Sequence, residues 1–153
     1  MDKIDYKEKF YMDLKQGEAG EVIIANYFNK LQYETELNPN KNGDYDVKLL
    51  KDKRTILLEI KTDEYYKKSR TNNMVFEVSC SGKPSGLNST KAHYYVYYFP
   101  EEKIAYMASI SKIKSIIGQC TTVYGGDGGR AKLYLVDRTI WGEHFKIINI
   151  ETN

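Results

Sequence analysis

The chain of 153 residues carries 23 Lys and Arg against 21 Asp and Glu, and 41% of its residues are apolar. This composition predicts one globular domain over residues 1–153, with a core that buries roughly 70% of the surface exposed by the unfolded chain. The net charge of +2 excludes a strongly basic nucleic-acid-binding protein, although acids at a catalytic site can offset a basic rim.

Cysteine and histidine contents argue against a disulfide framework and against a zinc site. Cys80 and Cys120 stand forty residues apart without metal-ligand spacing, and His93 and His144 are the two imidazoles. No apolar run approaches the roughly 20 residues that cross a bilayer, and the first ten residues lack the apolar core of a signal peptide. We therefore expect an intracellular, cytoplasmic protein without membrane contact.

The first elements in chain order are a helix and a hairpin. Between Gln16 and Leu31 apolar residues recur mostly at steps of three and four, which predicts an amphipathic helix. Two aliphatic or β-branched runs, Asp44–Leu50 and Arg54–Lys61, are joined by Lys51, Asp52 and Lys53. This pattern predicts an antiparallel hairpin.

Further strands and a second helix follow the hairpin. Isoleucines at positions 110, 113, 116 and 117 have helical spacing, and Gly125–Gly129 is predicted to be a surface loop. The order of elements indicates an α/β or α+β sheet with helices packed on it. The remaining predicted strands are Met74–Cys80, Tyr94–Phe99, Lys103–Met107, Ala131–Val136 and His144–Ile150.

Acidic and basic side chains converge at one end of the predicted hairpin. Alternate side chains of a strand share a face, so Glu59 and Lys61 project together, and closing the hairpin brings Asp46 near Glu59. Neighbouring carboxylates repel each other unless a cation lies between them, and such oxygen ligands suit Mg²⁺ or Mn²⁺. The ion can bind a phosphate oxygen and activate water, which Lys61 can orient; this is the chemistry of phosphodiester hydrolysis.

These residues resemble the PD-(D/E)XK nuclease superfamily, whose core is a helix, a strand bearing Asp and a strand bearing Glu-x-Lys. Asp46, Glu59 and Lys61 take the matching positions, and the resemblance covers roughly residues 16–100. Tyr45 stands where the family name has proline, a residue that the superfamily does not require. The resemblance implies a restriction-endonuclease-like α/β core, with a central mixed β-sheet flanked by helices.

The resemblance also implies the metal ligands. Asp46, Glu59 and the backbone carbonyl of Ile60 would hold Mg²⁺ or Mn²⁺, and a glutamate on the first helix would assist them. Glu21 is preferred for this role because it directly precedes the apolar face, and Glu18 is the second choice.

Several alternatives stay open at this point. Chance gives about one or two Glu-x-Lys matches in such a chain, and Glu101-Glu102-Lys103 is indeed a second one. Glu59 and Lys61 could instead be a solvent-exposed pair on an edge strand. Asp44, which follows a turn-forming glycine, is the alternative to Asp46, and Glu77 is either a second-choice site residue or part of an exposed strand face.

Two groups of polar residues are candidates for DNA contact. Cations and hydroxyls of this kind suit phosphate oxygens, although they are also the ordinary composition of solvated turns. The tyrosines of the strand Tyr94–Phe99, together with His93 and His144, are predicted to be structural. The candidates are Lys67, Lys68 and Arg70, which follow Tyr65 and Tyr66, and then Lys83, Ser85, Thr90 and Lys91.

The predicted function is hydrolysis of DNA by a metal-dependent nuclease without an organic cofactor. Because the core takes up most of the chain, specificity is expected from homodimerisation or from DNA shape, which favours a structure-selective endonuclease of branched DNA. The narrower resemblance is to Holliday junction resolvases of DNA recombination and to small nucleases, many of them from phages or mobile elements. The alternatives are a nucleic-acid-binding protein without turnover and a sequence-specific restriction endonuclease.

Overall fold

The computed structural model describes residues 6–40, 43–64 and 71–150, with side chains from Gly17 onward except that of Asp127. Its helices are α1 (Tyr6–Lys30), α2 (Ile110–Ile117) and α3 (Arg138–Trp141). Its strands are β1 (Glu34–Leu37), β2 (Val47–Lys51), β3 (Arg54–Thr62), β4 (Asn73–Cys80), β5 (Lys83–Pro84), β6 (Tyr94–Phe99), β7 (Ile104–Ser109), β8 (Thr121–Gly125), β9 (Ala131–Asp137) and β10 (Lys146–Asn149).

Six strands form a central mixed sheet in the order β1-β2-β3-β6-β7-β10. The β3–β6 pair is parallel and the other four pairs are antiparallel. Helix α1 packs on one face of this sheet, where Ile24, Phe28, Leu58 and Val96 belong to one buried cluster. The sequence prediction of an α/β fold with a central mixed sheet is confirmed.

A second sheet, which the sequence pattern did not indicate, covers the opposite face. Its order is β5-β4-β9-β8, all antiparallel. Phe76 of β4 packs edge-to-face on Tyr95 of β6, and α2 adds its isoleucines, including Ile113, to the same buried cluster. The tyrosines at 95 and 97 are therefore core residues, as expected.

The β2–β3 hairpin turns on two residues. Asp52 and Lys53 both have positive φ, at 51° and 65°, which is the conformation of a type I′ turn. Pairing then runs from Lys51 opposite Arg54 to Val47 opposite Leu58. This register fixes which residues meet at the far end of the hairpin.

Helix α1 begins ten residues earlier than the hydrophobic periodicity predicts. Within the helix, glycines at 17 and 20 lower the intrinsic helix propensity, and Gly20 is buried against β3. Among the residues described, no helix is long and apolar enough to cross a membrane.

Candidate functional site

Asp46 lies where β2 begins and is fixed by backbone hydrogen bonds on both sides. Its N–H donates to the carbonyl of Leu58 (2.8 Å), and its carbonyl accepts from Asn38 N (2.9 Å). Its carboxylate Oδ2 accepts a hydrogen bond from Ile60 N at 2.7 Å. Because Val47 is opposite Leu58, the next pair in the same register is Asp46 and Glu59. The structure thus brings the two predicted acids together.

Glu59 is partly buried on β3, and its carboxylate Oε2 accepts a hydrogen bond from Thr90 Oγ1 at 2.9 Å. Burial, followed by the negative charge of Asp46, raises the pKa of Glu59 to about 7. The Thr90 hydrogen bond lowers that pKa, and the charge of Glu21 raises it. Three carboxylates therefore influence one another at this end of the sheet.

Tyr95 is paired with Glu59 across the parallel β3–β6 ladder and projects from the same face. Burial raises the pKa of its phenol well above the usual range, with further contributions from Glu59, Asp46 and Glu77 in that order. The phenol stays protonated, so it faces these acids as a neutral group. Glu77, on β4, is half-buried near the same region.

Glu21 reaches the site because α1 approaches β3 closely. A Cβ at Gly20 would overlap the Thr62 hydroxyl, so glycine is what permits this contact. Glu21 is half-buried next to that contact, while Glu18 is exposed. The preference for Glu21 over Glu18 therefore has a structural basis, although its role is a prediction.

Lys61 is exposed and lies two residues beyond Glu59 on β3, on the same face. Its partner in the parallel ladder is Tyr97, whose hydroxyl donates to buried Asp63 at 2.5 Å. The side chain of Ile60 packs on the opposite face, in the cluster with α1. The alternation predicted for this strand is present.

Asp44 makes a different set of contacts from Asp46. Its carboxylate is 3.6 Å from Lys91 Nζ, and its carbonyl accepts from Lys91 N at 2.8 Å. Its main-chain oxygen is also 3.2 Å from Thr90 Oγ1. Asp44 thus holds the segment that carries Thr90, whereas Asp46 is the acid fixed to the Glu59 strand.

The proposed DNA contacts divide into three groups. Lys67, Lys68 and Arg70 lie outside the described residues. Lys83 is exposed, and Lys91 is exposed while paired with Asp44. The hydroxyl oxygen of Ser85 is buried without a hydrogen-bond partner among the described residues, so its position gives no support to phosphate contact.

The carboxylates of the candidate site have the chemistry of ligands for a divalent ion. Within the described part of the chain, no group of three or more His, Cys, Asp or Glu residues is close enough to form a metal cage. Mg²⁺ does not need one, since it keeps several waters and commonly takes one or two carboxylates. Burial and then the charge of Asp46 raise the Glu59 pKa, and a bound cation would favour the ionised carboxylate against both, so Asp46 and Glu59 fit such an ion.

Sequence reasoning missed two neighbours of Glu59. Thr90 was predicted to contact phosphate, yet its hydroxyl is bonded to Glu59, and Tyr95 was considered only as a core residue. Both contacts depend on pairing between segments more than thirty residues apart, which a local pattern does not contain. His93 fits its structural prediction, because its Nδ1 accepts from Leu57 N at 2.8 Å.

Comparison with known proteins supports the fold. No protein-family model matches the sequence, and no curated protein is detectably similar to it in sequence. Among solved structures, a bacterial homing endonuclease, I-Ssp6803I, matches with a TM-score of 0.54 and 16% identity, covering 79% of this chain and 76% of the other. A nuclease from a fusselovirus matches with a TM-score of 0.43 and 12% identity, over 95% and 88% of the two chains. The chain therefore shares the fold of a known endonuclease.

Proposed function

We propose that the protein is a metal-dependent deoxyribonuclease of the PD-(D/E)XK type. The observation that carries this proposal is the convergence of Asp46 and Glu59 at one sheet end, with Glu21 beside them and Lys61 on the face of Glu59. The likeness to a homing endonuclease supports the same class of reaction.

Each residue has a part in this proposal. Asp46, Glu59 and the Ile60 carbonyl would hold Mg²⁺ or Mn²⁺, and Glu21 would assist from α1. The bound ion would supply Lewis acidity toward a phosphate oxygen and the attacking water. Lys61 places its ammonium beside the reacting phosphate, where it orients water and offsets the negative charge that develops during in-line attack.

The local structure prepares the site for this task. The Asp46 carboxylate is held by Ile60 N, and the Glu59 carboxylate by the Thr90 hydroxyl, so the two acids are oriented by separate donors. Fixed ligands reduce the reorganisation needed when an ion and a phosphate enter.

The finer proposal concerns the substrate. We infer a preference for junctions or other branched DNA, cut by a homodimer, rather than for one sequence in linear duplex. A panel of linear duplex, single-stranded, flapped and four-way-junction DNA tests this preference directly. Cutting of linear duplex at one sequence motif would instead indicate a restriction endonuclease.

The first experiment measures cleavage of this panel in Mg²⁺, Mn²⁺ or EDTA. Glu59→Gln and Lys61→Ala are expected to reduce cleavage by at least about a hundredfold, because they remove a metal ligand and a transition-state charge. Both variants should fold, since neither removes buried apolar volume.

Matched controls use the opposite end of the hairpin. Glu34→Gln on β1 and Lys53→Ala in the β2–β3 turn make the same chemical changes at exposed positions, and both should cleave like the wild type. Full activity in Glu59→Gln and Lys61→Ala would refute the site. DNA binding that is indifferent to metal, without any cleavage, would favour a binding protein of the same fold.

A further inference from the structure

The second sheet presents two hairpin tips side by side. The β4–β5 hairpin turns at Ser81 and Gly82, which have φ of 52° and 78°, and the β8–β9 hairpin turns through residues 126–130. Strands β4 and β9 pair up to Cys80 opposite Ala131. Beyond that pair, Ser81 N donates to the carbonyl of Arg130 at 3.0 Å, which joins the two tips.

Three cations lie at or next to these tips without carboxylate partners among the described residues. Lys83 and Arg130 are exposed, and Lys132 is half-buried with its Nζ 5.5 Å from the centre of the Tyr134 ring. In the part of the chain that the structure describes, none of the three forms an ion pair. Lys91 and Arg138 differ, because they are paired with Asp44 and Glu102.

Uncompensated cations on adjoining loops suit a polyanion. Like charges held close together repel one another, and the repulsion is relieved when phosphates replace the diffuse counterions. Around the two hairpin tips, in residues 79–86 and 121–132, Asp127 is the one acid in the sequence, while Glu77 and Asp137 lie further along strands β4 and β9. The charge of this surface therefore has a single predominant sign.

The backbone of the β8–β9 tip is open to close approach. Gly126, Gly128 and Gly129 all have positive φ, between 67° and 73°. At Gly129 a Cβ would meet no atom within 4 Å, so space surrounds the chain there. Because glycine has no side chain, the cations are the dominant side chains of this tip. A phosphate backbone can therefore approach the tip closely.

The hairpin tips are continuous with the candidate active site. The segment after Lys83 is tied to β4 by Ser85 N donating to the carbonyl of Val78 (3.1 Å), and it then reaches Thr90, which bonds to Glu59. Thr90 is seven positions after Lys83, a span of at most about 25 Å in an extended chain. That distance is less than one turn of duplex DNA, about 34 Å.

We propose that Lys83, Arg130 and Lys132 form a DNA-backbone-binding surface, hereafter the hairpin-tip surface, that holds the duplex beside the cleavage site. This inference rests on the proposed nuclease function and extends it to the β8–β9 hairpin. Contact is with phosphates, so the surface supplies affinity and orientation rather than base sequence.

The test compares two triple variants that remove the same charge. Lys83→Gln/Arg130→Gln/Lys132→Gln neutralises the hairpin-tip surface, and Lys30→Gln/Lys53→Gln/Arg54→Gln neutralises exposed cations at the opposite end of the central sheet. Fluorescence anisotropy with a labelled 30-base-pair duplex and a four-way junction, in EDTA and across a salt series, measures affinity and its salt dependence. A double variant, Lys83→Gln/Arg130→Gln, spares half-buried Lys132 in case the triple variant is unstable.

The hairpin-tip variant should lose about tenfold or more in affinity, and its log–log salt slope should fall by about two to three. The control variant should keep the wild-type slope. In the double variant, the log–log salt slope should fall by about two. Equal slopes in the hairpin-tip variant and the wild type would overturn the inference while leaving the nuclease proposal standing. If the wild type itself neither binds nor cleaves DNA, the proposed nuclease function is refuted, and the inference that rests on it is refuted as well.

Discussion

At the scale of single residues, the fold favours the protonated form of Glu59, whereas metal binding requires the ionised form. Partial burial and the charge of Asp46 raise its pKa to about 7, so near neutral pH the carboxylate is only partly ionised without a metal. A metal ligand must be ionised, so binding of a divalent ion releases a proton from this group. The proposed metal ligand is thus a carboxylate whose ionised form the unliganded fold disfavours.

The raised pKa of Glu59 predicts a pH-dependent stability in metal-free buffer. Because the folded pKa is raised, the unfolded chain ionises first as pH rises from the ordinary glutamate range toward 7, and the folded state loses stability over that window. Glu59→Gln removes the effect, on the order of 3 kcal/mol at pH 8. Thermal unfolding in EDTA at pH 5 and pH 8 should show a higher Tm for the variant at pH 8 and little difference at pH 5.

Added Mg²⁺ supplies the internal control. It should raise the Tm of the wild type, whose carboxylates the ion stabilises, and leave Glu59→Gln nearly unchanged. Parallel pH profiles for the two proteins in EDTA would show that the Glu59 carboxylate is not destabilising.

At the scale of elements, the contact between α1 and β3 sets the position of Glu21. Gly20→Ala is expected to destabilise the protein by about 1 to 3 kcal/mol, because the new methyl group overlaps the Thr62 hydroxyl and pushes α1 away. Cleavage should fall as well, since Glu21 moves with the helix. Urea unfolding and the cleavage assay measure the two effects.

The companion variant is Thr62→Ala. The Thr62 hydroxyl is buried without a partner in the described residues, so its removal should cost little, and Gly20→Ala should be better tolerated in that background. Additive effects of the two substitutions would contradict the proposed overlap.

Elements with a strong local pattern could be predicted from sequence, and those defined by long-range pairing could not. Strand β6 and helix α2 agree with their predicted limits, because a run of aromatic residues and the isoleucine spacing are local signals. Strand β1 was missed since its residues are polar and mostly exposed at a sheet edge. The second sheet was missed because β4 pairs with β9, some sixty residues further along the chain, and β8 was missed because it is an edge strand with mostly exposed residues.

The candidate site divides in the same way. Asp46, Glu59 and Lys61 follow from a hairpin and strand alternation, both readable in the sequence. The Thr90 hydroxyl and Tyr95 join them only through tertiary pairing. Glu21 was preferred from sequence because it directly precedes the apolar face of the helix. Its proximity to Glu59 depends on the close contact of Gly20 with Thr62, which the sequence pattern does not contain.

At the scale of the whole molecule, two hydrophobic clusters share one sheet. Strand β6 contributes Val96 and Tyr98 to the cluster under α1, and Tyr97 and Phe99 to the cluster between the sheets. A strand that packs on both faces links the two clusters mechanically. We therefore expect the chain to unfold as one cooperative unit, as the single-domain prediction requires.

Truncation in each cluster tests this expectation. Ile24→Ala and Ile113→Ala, both fully buried in the wild type, should each reduce the free energy of unfolding by about 2 to 5 kcal/mol. Calorimetry should show one transition in both variants, shifted downward. Two separated transitions in either variant would indicate that the clusters are independent units.

The two-residue turn at Asp52 and Lys53 has a consequence at a distance. Strand pairing propagates from it to the far end of the hairpin, where Asp46 meets Glu59. A strand shifted by one residue presents the opposite set of side chains to each face, so one inserted residue at the turn would point Asp46 away from its partner. The number of residues in this turn, at the end of the hairpin away from Asp46, therefore decides whether the two proposed catalytic acids lie opposite each other.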